Sequence, residues 1–145
     1  MTSALPEVVF HIYPTDCDML GHVNHATMLG FLERARWALL ERQGVTDFAS
    51  LPVYSVVRHV DIGYFAQSLP GEDLVIRSGL TRVGRTSFTI RQEVRKGSAA
   101  GSLAADATIA FVCIGRDGRP VPVPAEWSAM FPRWPDEDTT REATS

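Results

Sequence analysis

The fold is decided by residues 16–44, which begin Asp-Cys-Asp-Met-Leu-Gly-His-Val-Asn-His at positions 16–25. Aspartate and glycine interrupt the pattern of an ordered element, so Asp16–Val23 is predicted to be a loop. Asn24 suits a helix N-cap and Gly44 suits the position after a last turn, which predicts a helix of about five turns between them. Its apolar stripe has helical spacing and consists of Met28, Phe31, Leu32, Ala35 and Leu39.

Segments with strand patterns flank this helix. Val8–Thr15 alternates before it, and four segments follow it: Val53–Tyr64, Asp73–Val83, Thr86–Lys96 and Ser102–Ile114. Two of these meet at Gly84-Arg85, which predicts a two-residue hairpin with glycine first. Pro124–Phe131 is predicted to be a short helix. One long helix followed by an antiparallel meander predicts an α+β layer, a sheet packed on that helix.

Length and composition fit one globular domain. The chain has 145 residues, of which 45% are hydrophobic and 21% are charged. Its net charge of −3 comes from residues 136–145, predicted to be a disordered acidic tail, so the predicted domain at residues 1–135 is neutral. Neutrality argues against a nucleic-acid binder, and no apolar stretch approaches the roughly 18 residues of a membrane span. With no export signal and only two cysteines, Cys17 and Cys113, we expect a cytoplasmic protein.

The loop before the helix carries the side chains of a possible catalytic or metal site. In a hydrolase, the unpaired N–H groups at the helix start would polarise a carbonyl, and Asp16 or Asp18 would act as general base or nucleophile. In a metal site, these carboxylates would join His22 and His25, although the spacing matches no known motif. In the third interpretation, the segment is a turn and a helix cap. Cys17 is disfavoured as a nucleophile because adjacent carboxylates raise a thiol pKa.

A basic cluster lies in the predicted hairpin and in the strand after it. Arg91, Glu93 and Arg95 share one strand face, which is predicted to be solvated. Arg85 stands beside Thr86 and Ser87, and guanidinium and hydroxyl groups are both good phosphate partners.

These motifs together resemble the hotdog-fold acyl-CoA thioesterases, and within them the 4-hydroxybenzoyl-CoA thioesterase family. The resemblance rests on Asp-x-Asp-x-x-Gly-His-Val-Asn at residues 16–24 and on Glu-Arg-Ala-Arg at residues 33–36. Similar segments follow in the family's order, and the whole spans about Val8 to Pro124. These segments are 61–64, 71–74, 84–88 and 116–120.

The resemblance implies a hotdog fold, in which a five-stranded antiparallel sheet wraps around the long central helix. It also implies a homodimer joined edge to edge, or a homotetramer, with active sites at the interface. The implied activity is hydrolysis of an acyl-CoA, with no metal or other cofactor and Asp18 as nucleophile or general base. His25 would supply the oxyanion N–H, and Asn24 would orient the helix start. The expected substrate contacts are Gly21, His22, Met28, Tyr64, Arg85, Thr86 and Ser87.

Two departures leave the acyl group open. Met28 stands where many relatives have tyrosine, and Gln67 stands where proline is common. Two other functions also stay open: a thioesterase acting on carrier-protein-bound acyl groups, and a non-catalytic acyl-CoA-binding module.

Overall fold

The computed structural model describes residues 5–135. They form five strands and one long helix: β1 (Glu7–His11), α1 (His25–Arg42), β2 (Val53–Tyr64), β3 (Asp73–Val83), β4 (Ser87–Lys96) and β5 (Leu103–Gly115). The strands make one antiparallel sheet in the order β1-β3-β4-β5-β2. The predicted α+β architecture is therefore confirmed, while the predicted tail at residues 136–145 lies outside the described residues. Within residues 5–135, no helix is both long and apolar enough to cross a membrane.

The helix α1 begins and ends where the sequence predicts. Asn24 is its N-cap, and its side-chain oxygen accepts a hydrogen bond from the Ala26 N–H at 2.8 Å. Gly44 follows the last turn with φ +85°, a left-handed conformation that favours glycine. The predicted apolar stripe is buried in the core, where it packs with apolar side chains of the sheet.

A buried polar cluster ties the middle of α1 to the sheet. The Gln92 side chain is fully buried, and its Nε2 donates to the Leu32 carbonyl and to Ser78 Oγ, both at 3.0 Å. Its Oε1 accepts from Arg36 Nη1 at 2.9 Å. Because each polar atom of the amide has a partner, this glutamine lies in the core without a large desolvation penalty.

The structure differs from the prediction at the end of β1, at the short helix near the C-terminus and at the β3–β4 hairpin, while the bounds of β4 and β5 shift by one residue. β1 ends at His11, because Pro14–Asp16 form a 3₁₀ turn in which Asp16 Oδ2 accepts from the Tyr13 N–H at 2.9 Å. The short helix near the C-terminus is a 3₁₀ helix confined to Ala125–Ala129. In the β3–β4 hairpin, the Gly84 N–H donates to the Ser87 carbonyl at 2.7 Å, so Arg85 and Thr86 are the central residues. The predicted two-residue turn beginning with glycine is thus wrong by one position.

The face of β4 that was predicted to be solvated is covered. Arg91 is only 9% exposed and Glu93 only 2%. Glu93 Oε1 accepts from Arg77 Nη2 at 2.7 Å and from Arg95 Nε at 2.8 Å. The Trp134 ring lies 4.4 Å from the Arg91 guanidinium carbon and covers the network from outside. The charged face is therefore an internal ion-pair network.

Candidate active site

The loop between Asp18 and His22 is a tight turn closed by its own backbone. The Asp18 N–H donates to the His22 carbonyl at 3.1 Å, and the Gly21 N–H donates to the Asp18 carbonyl at 3.0 Å. Gly21 has φ +85°, which a side chain would strain. The Val23 N–H donates to the carbonyl of buried Ser68 at 2.9 Å, which fixes the turn to the segment before β3.

The turn holds the Asp18 carboxylate through both of its oxygens. Oδ1 accepts from the Leu20 N–H at 2.9 Å, and Oδ2 accepts from Asn24 Nδ2 at 3.3 Å. The Leu20 N–H lowers the pKa of Asp18 most strongly, and the Asn24 amide and the charge of His22 lower it further against a smaller opposing effect of burial. Asp18 is therefore an oriented carboxylate, deprotonated at neutral pH.

The same loop leads directly into the first turn of α1. His25 is the first helical residue, so its N–H has no carbonyl four residues earlier in the helix to bind. Its carbonyl accepts from the Tyr64 hydroxyl at 2.9 Å, which ties the end of β2 to the start of α1. The structure thus brings together Asp18, Gly21, His22, Asn24, His25 and Tyr64.

Met28 lies one helix turn after His25, where its N–H donates to the Asn24 carbonyl at 3.0 Å, whereas the predicted hairpin contacts lie elsewhere in the protomer. Met28 is only 3% exposed and belongs to the hydrophobic core. The hairpin with Arg85, Thr86 and Ser87 follows the far end of β3, whereas the Asp18 loop lies near its Asp73 end. Eleven residues of strand separate these ends by roughly 35 Å. Within one protomer, the hairpin and Asp18 therefore do not form one site.

The apolar surface beside Asp18 has no signal in the sequence. Met19 is fully exposed and Leu20 is 80% exposed. Met19 and Leu20 lie in a turn, where no periodicity distinguishes an exposed apolar pair from a buried one. Large apolar side chains exposed together are typical of an interface or a ligand site.

An aromatic cavity of about 320 Å³ likewise has no signal in the sequence. It lies between the second half of α1, the segment that leads to β2, and the 3₁₀ helix near the C-terminus. No residue of the Asp18 loop lines it. Its aromatic lining includes Trp37, Phe48, Tyr54, Phe88, Phe111 and Trp127. Their sequence positions run from the helix to the C-terminal segment, so no local pattern indicates that they meet.

The metal interpretation finds no geometric support, since residues 5–135 contain no group of three or more His, Cys, Asp or Glu side chains placed to hold an ion. Burial raises the pKa of the Cys17 thiol, and the charges of Asp16 and Asp18 raise it further. This agrees with the expectation that Cys17 is a poor nucleophile.

The architecture is shared by solved thioesterase structures. Slr0204, a 1,4-dihydroxy-2-naphthoyl-CoA thioesterase from Synechocystis, is 22% identical with a TM-score of 0.76, over 86% of this chain and 93% of that chain. YbaW, a probable thioesterase from Escherichia coli, is 27% identical with a TM-score of 0.74, over 86% and 94% of the two chains. The fold is therefore the hotdog fold of thioesterases.

Residues 12–131 match the family model of the thioesterase-like superfamily, and the chain belongs to that family. It is 34% identical to the long-chain acyl-CoA thioesterase FadM of Escherichia coli K12, over 67% of this chain and 74% of FadM. It is 30% identical to the acyl-CoA thioester hydrolase YbgC of Escherichia coli O6:H1, over 71% of this chain and 77% of YbgC. The prediction of a thioester hydrolase is confirmed at the level of the family.

Proposed function

We propose that this protein hydrolyses acyl-CoA thioesters and that Asp18 carries the reaction. The observation that supports this most directly is the Asp18 carboxylate, deprotonated and held at both oxygens beside the free start of α1. A base or nucleophile must be ionised and oriented before the substrate arrives. Similarity to FadM and YbgC supports acyl-CoA as the substrate class.

In the proposed reaction, the thioester oxygen accepts a hydrogen bond from the His25 N–H, which stabilises the developing oxyanion. In one route, an Asp18 oxygen attacks the carbonyl carbon and expels the CoA thiolate, and water then cleaves the resulting mixed anhydride. In the other, Asp18 removes a proton from water, whose oxygen attacks the carbonyl carbon. Both routes consume one water and release the free acid and the CoA thiol. Asn24 orients the carboxylate and caps the helix in either route.

We also propose that two protomers complete each site. β2 is an edge strand with β5 as its sheet neighbour, and it exposes Tyr54, Val56 and Val57 along 12 residues. Such an edge invites pairing with a second copy. In an antiparallel pair of β2 strands, the Val53 end of each strand lies beside the Tyr64 end of the other.

This pairing would bring the hairpin to the catalytic loop. Ser87 pairs with Val112, and Val112 pairs with Val56, so the hairpin lies at the Val53 end of β2. The partner subunit's Arg85 would then approach the nucleotide end of a CoA bound at Asp18, with Thr86 and Ser87 beside it. We place the enzyme in the cytoplasm, where its two free cysteines stay reduced.

Thiol release from a panel of acyl-CoAs tests this function. The panel contains benzoyl-, phenylacetyl-, short-chain and long-chain acyl-CoA, and each acyl group is also offered on a carrier protein. We expect the parent to release CoA, and Asp18→Asn to lower turnover by about 10²- to 10⁴-fold while remaining folded. Asp16→Asn is the matched control and should stay close to the parent.

Equal turnover by Asp18→Asn would refute the catalytic role of Asp18. Faster hydrolysis of the carrier-protein thioester than of the CoA thioester would favour a thioesterase that acts on carrier-protein-bound acyl groups. Binding of acyl-CoA without release would favour the non-catalytic module.

A further inference from the structure

Arg36 places a charged group inside the aromatic cavity. It lies on α1, lines the cavity, and stacks its guanidinium carbon 5.1 Å from the centre of the Phe111 ring. Its hydrogen bond to Gln92 Oε1 is the one hydrogen bond that the described residues give it. A guanidinium has five N–H donors, so most of the donors of Arg36 are available to a molecule in the cavity.

This arrangement has an energetic consequence for any ligand. Burial lowers the pKa of Arg36 to about 10, which leaves the side chain protonated at neutral pH. A wholly apolar ligand would displace water from the remaining N–H groups and leave them without acceptors. A ligand that places an oxygen atom beside Arg36 would accept these hydrogen bonds in place of the displaced water.

Glu33 makes a neutral oxygen a better fit than a carboxylate. It lines the same cavity at its exposed side, and its Oε1 accepts from Trp37 Nε1 at 3.2 Å. Its negative charge acts on the Arg36 guanidinium and raises the pKa of that group against the effect of burial. Because Glu33 already offsets the charge of Arg36 at this cavity, a ligand carboxylate would add a net negative charge there, whereas a neutral oxygen would not.

The cavity opens where the proposed dimer needs an acyl pocket. Its lining includes Tyr54, Ser55 and Val57 of β2. In the antiparallel β2 pair, these residues lie beside the partner subunit's Tyr64, whose hydroxyl holds the start of α1 in that subunit. The acyl group of a thioester bound at the partner subunit's Asp18 would therefore enter this cavity.

We propose that Arg36 is a specificity-determining residue that donates hydrogen bonds to a neutral keto or hydroxyl oxygen on the distal part of the acyl group. The inference rests on the proposed function, since it concerns the acyl group of the same substrate. It predicts that oxygenated acyl-CoAs are better substrates than apolar ones of the same length.

Matched substrate pairs test this inference: phenylacetyl- against 4-hydroxyphenylacetyl-CoA, and octanoyl- against 7-ketooctanoyl-CoA. We expect the parent to favour the oxygenated member of at least one pair by about tenfold or more in kcat/KM. Arg36→Met should bring this ratio close to one, and Arg36→Lys should retain part of the preference. Arg34→Met is the control, because Arg34 is exposed on the same helix and does not line the cavity.

The outcomes separate the two proposals. Hydrolysis of both members of each pair at equal rates would overturn the role of Arg36 and leave the proposed function standing. A preference that survives in Arg36→Met would also overturn it. No hydrolysis of any thioester would overturn the proposed function itself. If Arg36→Met does not fold, the role of Arg36 is judged from the substrate ratios of the parent and of Arg36→Lys. Faster turnover of 7-carboxyheptanoyl-CoA than of 7-ketooctanoyl-CoA would refute the preference for a neutral oxygen over a carboxylate.

Discussion

Asn24 links the stability of the helix to the chemistry of the loop. Its side-chain oxygen caps α1 by accepting from the Ala26 N–H, while its Nδ2 donates to Asp18. One amide thus satisfies a helix N–H and stabilises the ionised carboxylate. An aspartate at this position would still accept from the Ala26 N–H, but it would place a negative charge beside Asp18 where Asn24 places a hydrogen-bond donor. Substitution can therefore separate the capping of the helix from the stabilisation of the carboxylate.

We expect Asn24→Asp to raise the pKa of Asp18, because a carboxylate replaces a hydrogen-bond donor beside it. The active form of Asp18 is deprotonated, and its pKa lies below the ordinary aspartate value in the parent. The fall of kcat/KM on acidification should therefore begin at a higher pH in the variant. Asn24→Asp should keep the helix cap and lose, at neutral pH, only the stability that the lowered pKa of Asp18 supplies, whereas Asn24→Ala should also lose the cap, which contributes about 1 kcal/mol. A pH–rate profile and urea unfolding measure these effects, and an unchanged acid limb in Asn24→Asp would contradict the role given to Asn24.

The sequence predicts the proximity of site residues that are close together along the chain. It does not predict the proximity of residues that only the folding of the chain places side by side. Asp18, Asn24 and His25 are within one loop and one helix turn, so their proximity follows from local geometry. Tyr64 was predicted from the family resemblance, but its bond to the His25 carbonyl depends on where β2 ends. The anchoring of Val23 by the Ser68 carbonyl depends on backbone atoms alone, and side-chain chemistry gives no signal for it.

At the level of elements, β4 shows why a strand pattern does not identify the exposed face. Arg91, Glu93 and Arg95 alternate with Ile90, Gln92 and Val94, and three charged residues on one face are typical of the solvated side of a sheet. Glu93 is nevertheless buried between Arg77 and Arg95, and the C-terminal segment places Trp134 over the network. The covering residue lies about 40 positions away along the chain, beyond the reach of any periodicity argument. The helix α1 was predicted well because its caps and stripe are local signals.

Glu93→Gln should destabilise the sheet. Burial alone would raise the pKa of Glu93, but hydrogen bonds from Arg95 and Arg77 outweigh it and bring the pKa down to about 2. Removing the buried charge leaves two arginines without their carboxylate, and we expect a loss of about 3 kcal/mol at pH 7. Urea unfolding measures this loss. Exposed Glu41 provides the control, since Glu41→Gln should change little.

The pH dependence provides a second test of Glu93. Its folded-state pKa lies below its unfolded-state value, so its contribution is complete above the unfolded pKa, about 4.3, and is lost as pH falls toward 2. The stabilities of the parent and of Glu93→Gln should therefore converge between about pH 4 and pH 2. A constant difference across this range would show that the charge of Glu93 is not the source of the stabilisation.

At the level of the whole molecule, the two ends of the proposed site lie at opposite ends of the sheet. The catalytic loop is near the Tyr64 end of β2, and the hairpin and the opening of the aromatic cavity are near its Val53 end. A single sheet cannot bring these ends together, whereas an antiparallel pair of β2 strands does so twice. The proposed site therefore requires two protomers, and we expect activity to depend on assembly.

Val56→Asp should therefore lower both assembly and activity. Val56 is 42% exposed on the β2 edge, and a two-fold pairing of this edge would bring two new carboxylates to one interface, where they repel and lose solvation. We expect the variant to shift from dimer to monomer in sedimentation velocity and to lose CoA release in parallel. Val9→Asp is the matched control, because Val9 is 57% exposed on β1 at the opposite edge of the sheet. A monomeric Val56→Asp with full activity would show that one protomer holds a complete site, and it would remove the basis for placing the acyl group in the partner's cavity.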